Sequence, residues 1–305
     1  MKSLLFFFRN RIKNPFRKIV DQYIRYKSRQ LRRNGIHSYT YQDSDFVIHY
    51  HMGGKGPVLL FIHGFAMDAL MNWADQLCLF SGHFTVIAPD LQWFGKSHST
   101  REPVLATQRE AIERLLHELK IDRLHVVGQS YGGFVAMELA LKNPGLVDKL
   151  CIANCPGSTF DDATLEPLIS KNGVQHVGEL FITHTPLDIR RVLYVSSFKK
   201  PYFPVFVLKQ LHHLFFDKYH TQWRNMLYTL SGEKDRIESL EPLKQCHAMV
   251  LWGEEDALFL RSEGEKFAKT IGCPFVTIPK TGHATQLDDA KAFNRELKRF
   301  FLSSM

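Results

Sequence analysis

The sequence predicts an α/β protein in which a mostly parallel, doubly wound sheet carries a helical cap insertion. Short apolar runs alternate with helical patterns along most of the 305 residues. This alternation is typical of parallel strands joined by helices. The alternation stops between residues 157 and 240. This segment is rich in bulky apolar and basic residues, and Pro186, Pro201 and Pro204 divide it into short helical stretches. We therefore expect a core of residues 38–156 and 241–305, with a helical cap at 157–240.

A basic arm, residues 1–37, precedes this core. Residues 1–33 hold eleven Lys or Arg and one acidic residue, whereas the rest of the chain has 28 basic and 30 acidic residues. After Asn14 and Pro15, apolar residues recur at helical spacing and predict an amphipathic helix. They are Phe16, Ile19, Val20, Tyr23, Ile24 and Leu31. The apolar run from Leu4 to Phe8 is too short for a transmembrane helix or a signal-peptide core.

Such an arm is typical of a protein that binds an anionic membrane surface, here through residues 1–33. An alternative is a helix packed on the protein's own sheet with its charges in solvent. Nucleic-acid binding is disfavoured because no recognised binding module accompanies the arm. Five cysteines without a C-x-x-C pair favour a reducing compartment. We therefore expect a cytoplasmic, peripherally membrane-associated protein with no nucleic-acid partner; the sequence indicates no oligomeric state.

The core is predicted to begin with an antiparallel edge hairpin from Ser38 to His51, turned by Gly53 and Gly54. Later strands are predicted at Val58–His63, Phe84–Pro89, His125–Gly128, Lys149–Ala153, Ala248–Trp252 and Phe275–Pro279. Helices are predicted at Met71–Phe80, Leu105–Lys120, Phe134–Lys142 and Gln286–Phe301.

A serine flanked by glycines ends one of these strands, in the segment LHVVGQSYGG from Leu124 to Gly133. The apolar run before it suits a buried strand, and the residues after it favour a helix. Ser130 therefore falls on a sharp strand-to-helix turn, and Gly128 and Gly132 leave room for that turn. This pattern indicates a nucleophile elbow.

The ends of three other strands supply residues that complement a serine nucleophile. His63-Gly64-Phe65 predicts an oxyanion loop, with the backbone N–H groups of Phe65 and Tyr131 as donors. The segment from Gly253 to Asp256 offers an acid; its G-x-x-D spacing favours Asp256 over Glu254 and Glu255. A third strand is followed by His283, so the order is Ser130, Asp256, His283.

At these residues the chain resembles the α/β-hydrolase family, over a range from about Ser38 to Phe301. The motifs HGF, APDLQWFGKS, GQSYGG, WGEED and GHATQLDD occur in the family's order. The layout is most similar to the monoacylglycerol lipase and bacterial true-lipase branch, with a basic amino-terminal segment and a cap between the sixth and seventh strands. Two positions depart from that branch: Asp288 stands where Glu is usual, and Ala290 replaces Pro.

The resemblance implies a serine hydrolase that cleaves carboxylic esters of acyl chains, a lipase or esterase with monoacylglycerols among its substrate classes. His283 would take the proton of Ser130, Asp256 would orient the imidazole, and water would hydrolyse the acyl-enzyme. Haloalkane dehalogenases and epoxide hydrolases of this fold place a carboxylate at the elbow, so neither chemistry is favoured. The alternatives are a carbon–carbon bond hydrolase of the same fold and a non-catalytic ligand-binding or signalling protein.

An apolar substrate pocket is predicted from aromatic residues in two segments. Trp93 and Phe94 lie in the loop from Asp90 to Ser97, and Phe203 and Phe206 belong to an aromatic-rich stretch of the cap. Packing of the loop itself is the alternative for Trp93 and Phe94, and packing within the cap is the alternative for Phe203 and Phe206. Together the aromatic residues of the cap favour a lipid or acyl-ester substrate. The chain lacks G-x-x-x-x-G-K and G-x-G-x-x-G motifs, and we expect no cofactor and no metal.

Overall fold

The computed structural model describes residues 18–159, 162–234 and 240–303. Within these residues, nine strands form one sheet in the order β1-β2-β4-β3-β6-β7-β8-β9, with β5 beside β2. The strands are β1 (Ile36–Gln42), β2 (Phe46–Gly54), β3 (Val58–Ile62), β4 (Thr85–Pro89), β5 (His98–Ser99), β6 (Leu124–Gln129), β7 (Val147–Ala153), β8 (His247–Gly253) and β9 (Phe275–Ile278). The pairings of β2 with β1, β4 and β5 are antiparallel, and all others are parallel. The predicted fold class is confirmed.

Helices cover both faces of this sheet and fill the segment between β7 and β8. They are α1 (Ile19–Arg33), α2 (Ala69–Phe80), α3 (Leu105–Glu118), α4 (Tyr131–Lys142), α5 (Glu166–Asn172), α6 (Ile189–Ser196), α7 (Val205–Leu211), α8 (His220–Lys234), α9 (Glu241–Gln245), α10 (Arg261–Ile271), α11 (Thr285–Asp288) and α12 (Ala290–Leu302). Short 3₁₀ turns precede α5 and α6, and α7 continues into a π-helical turn at His212–Phe216. No helix in the described part of the chain is both long enough and apolar enough to cross a membrane.

The first hairpin turns at a different place from the one predicted. β2 runs through Gly53 and Gly54, and the turn lies at residues 43–45. There Asp43 Oδ1 accepts the backbone N–H groups of Asp45 and Phe46, both at 2.8 Å. A short Asp side chain stabilises a tight turn in this way. Gly54 has a φ of 84° and instead ends β2, where the chain turns towards β3.

The segment between β7 and β8 shares its apolar core with the sheet. Phe203, Leu208 and Trp223 are buried in the same cluster as Leu60 of β3 and Val126 of β6. This shared core holds α6, α7 and α8 over the carboxyl edge, the edge of the sheet at which its parallel strands have their carboxyl ends. We keep the name cap for residues 157–240.

The predicted carboxyl-terminal helix is divided in two. Asp289 adopts φ −139° and ψ 78°, which ends α11, and its side chain accepts the backbone N–H of Ala292 at the start of α12. An Asp that caps a helix in this way competes with helical continuation. The break leaves α11 beside the loop that carries His283.

The amino-terminal helix α1 packs on the protein's own surface. It contacts α2, α7 and β1, and Ile19 and Val20 are fully buried. The N–H of Val20 donates to Gln210 Oε1 on α7 at 3.1 Å. Ile19 and Val20 of the predicted amphipathic face are therefore not available to a membrane surface, because α2 and the cap already cover them. Other predicted features of the arm lie outside the described residues: Leu4 to Phe8, Asn14, Pro15 and Phe16.

Candidate active site

Ser130 occupies the sharp turn between β6 and α4. Its backbone has φ 53° and ψ −122°, a left-handed conformation that costs energy for a residue other than glycine. The turn closes because Gly128 and Gly132 lack side chains. A Cβ on Gly132 would lie 2.4 Å from the carbonyl oxygens of Ile62 and His63, and one on Gly128 would lie 2.4 Å from the oxygen of Gly132. The local sequence therefore fixes the serine at the carboxyl edge of the sheet.

Three predicted residues meet in one chain of hydrogen bonds. His283 Nε2 lies 2.7 Å from Ser130 Oγ, and His283 Nδ1 lies 2.9 Å from Asp256 Oδ2. All three residues are buried. Glu254 and Glu255 are exposed instead, and Glu254 pairs with Arg261 at 3.5 Å. Of the three acids in this loop, Asp256 is the one that contacts the histidine.

The Asp256 carboxylate is held by three further donors. Its Oδ1 accepts the backbone N–H groups of Leu258 and Phe259 at 2.8 and 3.1 Å, and its Oδ2 accepts Asn154 Nδ2 at 2.9 Å. Thr285 Oγ1 donates to Asn154 Oδ1 at 2.8 Å. These bonds offset the cost of burying the charge and fix the face that the carboxylate presents to His283. Sequence reasoning missed Asn154, although its place directly after β7 is a usable signal.

The side chains of Gln129 and Asp288 fasten the loop that carries His283. Gln129 Nε2 donates to the His283 carbonyl oxygen at 3.0 Å. Asp288 Oδ2 accepts the N–H groups of Gly282 and Phe198, both at 2.8 Å. Because Phe198 belongs to the cap, the aspartate that departs from the branch pattern ties the histidine loop to the cap.

The predicted oxyanion loop is organised by a buried histidine. His63 Nδ1 donates to the Gly64 oxygen at 2.8 Å, and its Nε2 accepts the N–H of Leu91 at 3.0 Å. Burial lowers the pKa of His63, which favours the neutral ring that this pairing requires. Phe65 and Tyr131 pack with ring centroids 5.8 Å apart and line a small cavity beside Ser130. Their N–H groups remain the predicted oxyanion donors.

A cavity of about 510 Å³ opens at Ser130 and His283. Its cap side is apolar and includes Phe181, Ile189, Val192, Phe203, Leu211 and Phe216. Within the described chain, no three His, Cys, Asp or Glu side chains are arranged to hold a metal ion.

Of the four predicted pocket residues, Phe203 lines this cavity, whereas Phe206 is half-buried within the cap. Trp93 and Phe94 do not line the cavity but pack behind residues that do. Phe94 stacks on Trp223 at 5.3 Å and meets Phe65 edge-on at 5.0 Å. The Trp93 carbonyl oxygen accepts Trp223 Nε1 at 2.9 Å. Phe94 thus packs directly on Phe65, which does line the cavity, whereas Trp93 is linked to Phe65 only through Trp223.

Sequence relatives carry several hydrolase names. An uncharacterized protein of Mycobacterium tuberculosis is 38% identical over 113 residues, which is 37% of this chain and 33% of that protein. Epoxide hydrolase 3 of Mus musculus is 25% identical over 75% of this chain and 66% of its own length. The 2-hydroxy-6-oxo-6-phenylhexa-2,4-dienoate hydrolase of Burkholderia cepacia is 25% identical over 83% of this chain and 90% of its own length. The chain thus spans a third to two thirds of the first two relatives.

Solved structures share the fold. A bacterial membrane phospholipase A matches 93% of this chain and 91% of its own with a TM-score of 0.73 and 21% identity. A thermophilic esterase from Thermogutta terrifontis matches 88% of this chain and 98% of its own with a TM-score of 0.70 and 20% identity. A family model described as "Alpha/beta hydrolase family" matches residues 59–296, which include Ser130, Asp256 and His283. Since that match spans most of the sequence, the chain belongs to the α/β-hydrolase family.

Proposed function

We propose that this protein is a serine hydrolase that cleaves carboxylic esters of acyl chains. The observation that carries the proposal is the hydrogen-bonded series Ser130–His283–Asp256, which opens on a largely apolar cavity. A serine needs an adjacent base to become a nucleophile, and that base needs a partner that fixes its tautomer. Both requirements are met within normal hydrogen-bond distances.

In this mechanism Ser130 Oγ attacks the ester carbonyl carbon while His283 Nε2 takes the hydroxyl proton. The tetrahedral oxyanion would be held by the N–H groups of Phe65 and Tyr131. His283 then gives its proton to the leaving alcohol as the bond from carbon to oxygen breaks. In the second step His283 takes a proton from water as the water oxygen attacks the acyl carbon. The bond from that carbon to Ser130 Oγ then breaks, the proton returns to Oγ, and the acid product leaves. Asp256 stays ionised and stabilises the imidazolium in both steps.

The apolar wall of the cavity indicates where an acyl chain would lie. The side chains of Phe181, Val192, Phe203 and Phe216 face a volume within the range of ordinary ligand pockets. Each methylene buried there contributes about 0.8 kcal/mol. The names of the structural neighbours, a phospholipase A and an esterase, support ester chemistry. A serine at position 130 argues against epoxide opening, in which the elbow carries a carboxylate.

The test is covalent labelling followed by a substrate series. A long-chain fluorophosphonate should modify Ser130 in the native protein and leave folded Ser130→Ala and His283→Ala unlabelled. Ester hydrolysis should fall by about 10⁶ in kcat in both variants. The ratio kcat/KM should rise from two to eight acyl carbons.

The outcomes separate the proposal from its rivals. A flat or falling profile over these chain lengths, together with turnover of a vinylogous diketone, would favour carbon–carbon bond hydrolysis, the chemistry named for the Burkholderia cepacia relative. Labelling of Ser130 without turnover of any ester or diketone would favour a ligand-binding role. Near-native ester hydrolysis by folded Ser130→Ala would refute the mechanism.

We also propose that residues 1–33 attract the protein to anionic membranes from the cytoplasm. What supports this is the set of exposed arginines on the outer side of α1: Arg25, Arg29, Arg32 and Arg33. A basic residue near an anionic bilayer contributes about 1 kcal/mol, and the attraction is screened by salt.

A further inference from the structure

Helix α1 forms part of the wall of the substrate cavity. Tyr23 and Lys27, one turn apart, share a face of this helix and line the same cavity as Ser130 and His283. Asp75 of α2 and Asn294 of α12 line it as well. The cavity therefore joins an apolar region under the cap to a polar compartment between α1, α2 and α12.

Lys27 is the unusual member of this compartment. Lys27 is only 4% exposed, and a lysine is almost never fully buried without a partner. Its Nζ donates to Asp75 Oδ1 at 2.5 Å and lies 5.6 Å from the centre of the Tyr23 ring. The Asp75 side chain is 39% exposed, and an ion pair that takes one of its charges out of water stabilises a fold weakly, because desolvation offsets the attraction between the charges. Fastening α1 to α2 therefore gives no sufficient reason for this pair.

The charges of the cavity wall disfavour an anionic ligand. Lys27 and Lys291 supply the two ammonium groups, whereas Asp75, Asp288 and Asp289 supply three carboxylates. An anion at Lys27 would also meet the carboxylate already bonded to it. The pair instead offers hydrogen bonds of both kinds, since an ammonium has three N–H donors and a carboxylate accepts on two oxygens. Hydroxyl groups, which donate and accept, match this arrangement.

We propose that the Lys27–Asp75 pair binds the hydroxyl groups of an uncharged polyol head group, such as glycerol carrying one acyl chain. The acyl chain then occupies the apolar region under the cap. This inference rests on the proposed ester hydrolysis and adds the head group that the enzyme selects. It also gives α1 a role in substrate selection that is independent of any membrane.

The test compares esters of one medium-chain acid: the monoacylglycerol, the methyl ester and the acylglycerol phosphate. The variants of the full chain are Lys27→Met, Asp75→Asn and the control Lys266→Met, which removes a lysine charge from the exposed side of α10, away from the cavity. A hydrogen bond to a charged group is worth about 1.4 kcal/mol or more, a factor of about ten. The ratio of kcat/KM for monoacylglycerol to that for methyl ester should fall about tenfold in Lys27→Met and in Asp75→Asn, mainly through KM. It should not change in Lys266→Met.

Each outcome has a definite reading. Equal losses on the monoacylglycerol and the methyl ester would show that the pair only fastens α1, and would overturn the inference. Preference of the native enzyme for the acylglycerol phosphate would overturn it in favour of an anion site. If Lys27→Met does not fold, the ratio measured for Asp75→Asn tests the inference. This variant should fold, because the Asp75 side chain is 39% exposed. A native enzyme that hydrolyses the methyl ester without any head-group preference refutes this inference alone, whereas one that hydrolyses no ester refutes the proposed function as well.

Discussion

The support of Asp256 by Asn154 gives the sharpest mutational prediction. Asn154 supplies one of the four hydrogen bonds to the carboxylate, the others coming from His283 and the backbone of Leu258 and Phe259. Its φ of 49° lies in the left-handed region, which Asn and Gly tolerate better than Ala. Asn154→Gly therefore removes the amide without straining the backbone, and Asn154→Ala adds strain to the same loss.

The magnitude follows from the kind of bond that is lost. A hydrogen bond to a charged group contributes about 1.5–3 kcal/mol, so the Asn154→Gly protein should lose roughly that much stabilisation of the carboxylate. If the full loss appears in the transition state, kcat falls by about 10- to 150-fold. Removal of a triad acid costs about 10⁴. The loss of kcat should thus be smallest in Asn154→Gly, larger in Asp256→Asn and largest in Ser130→Ala.

The assay is kcat for a short-chain ester, corrected for the active fraction by fluorophosphonate titration of Ser130. Circular dichroism and thermal unfolding of each variant separate lost activity from lost structure. Asn154→Ala should be less stable than Asn154→Gly but similar to it in kcat. Native kcat in Asn154→Gly, or a loss as large as that of Ser130→Ala, would refute the reasoning that this amide acts by holding Asp256.

Two further predictions concern the elbow and the arm. Gly132→Ala places a Cβ 2.4 Å from two backbone oxygens and should lower the melting temperature severely. The control Gly82→Ala, whose Cβ has no atom within 4 Å, should leave the melting temperature almost unchanged. Equal melting temperatures of the two variants would contradict the packing argument. Arg25→Glu with Arg29→Glu should weaken co-sedimentation with anionic vesicles at low salt. The exposed pair Lys266→Glu and Lys269→Glu on α10 removes the same charge and should have little effect. Similar losses from both pairs would argue against a specific role for α1.

Most of the sheet could be predicted because buried parallel strands leave a strong local pattern. Val58–Ile62 and Thr85–Pro89 are short apolar runs that end at turn residues. The first hairpin was placed correctly but its turn was not, because the turn at residues 43–45 depends on the Asp43 side chain and contains no glycine. The break at Asp289 was missed for a similar reason: a capping contact within an apolar periodic run leaves no gap in the pattern.

Some residues of the candidate site could be predicted from the sequence, and others could not. Ser130, Asp256 and His283 each follow a strand within five residues and lie in a recognisable motif, so all three could be predicted from the sequence alone. Asn154 carries no such motif, and its role depends on a contact across 102 positions of the chain. The pocket prediction is wrong for Trp93 and Phe94. The sequence shows that aromatic residues are present in this loop, but it does not show whether their side chains line the cavity or pack behind the residues that line it.

Helix α1 shows why the arm and the site have to be considered together. Its inward stripe, Tyr23, Lys27 and Leu31, is buried, while Arg25 and Arg29 between them point to solvent. Deleting residues 1–33 would therefore remove any membrane attraction and open the substrate cavity in the same step. Loss of activity in a truncated protein could not be assigned to either cause. Substitutions on one side of the helix at a time separate them: exchanges at Arg25 and Arg29 act on surface charge, and exchanges at Lys27 act on the cavity.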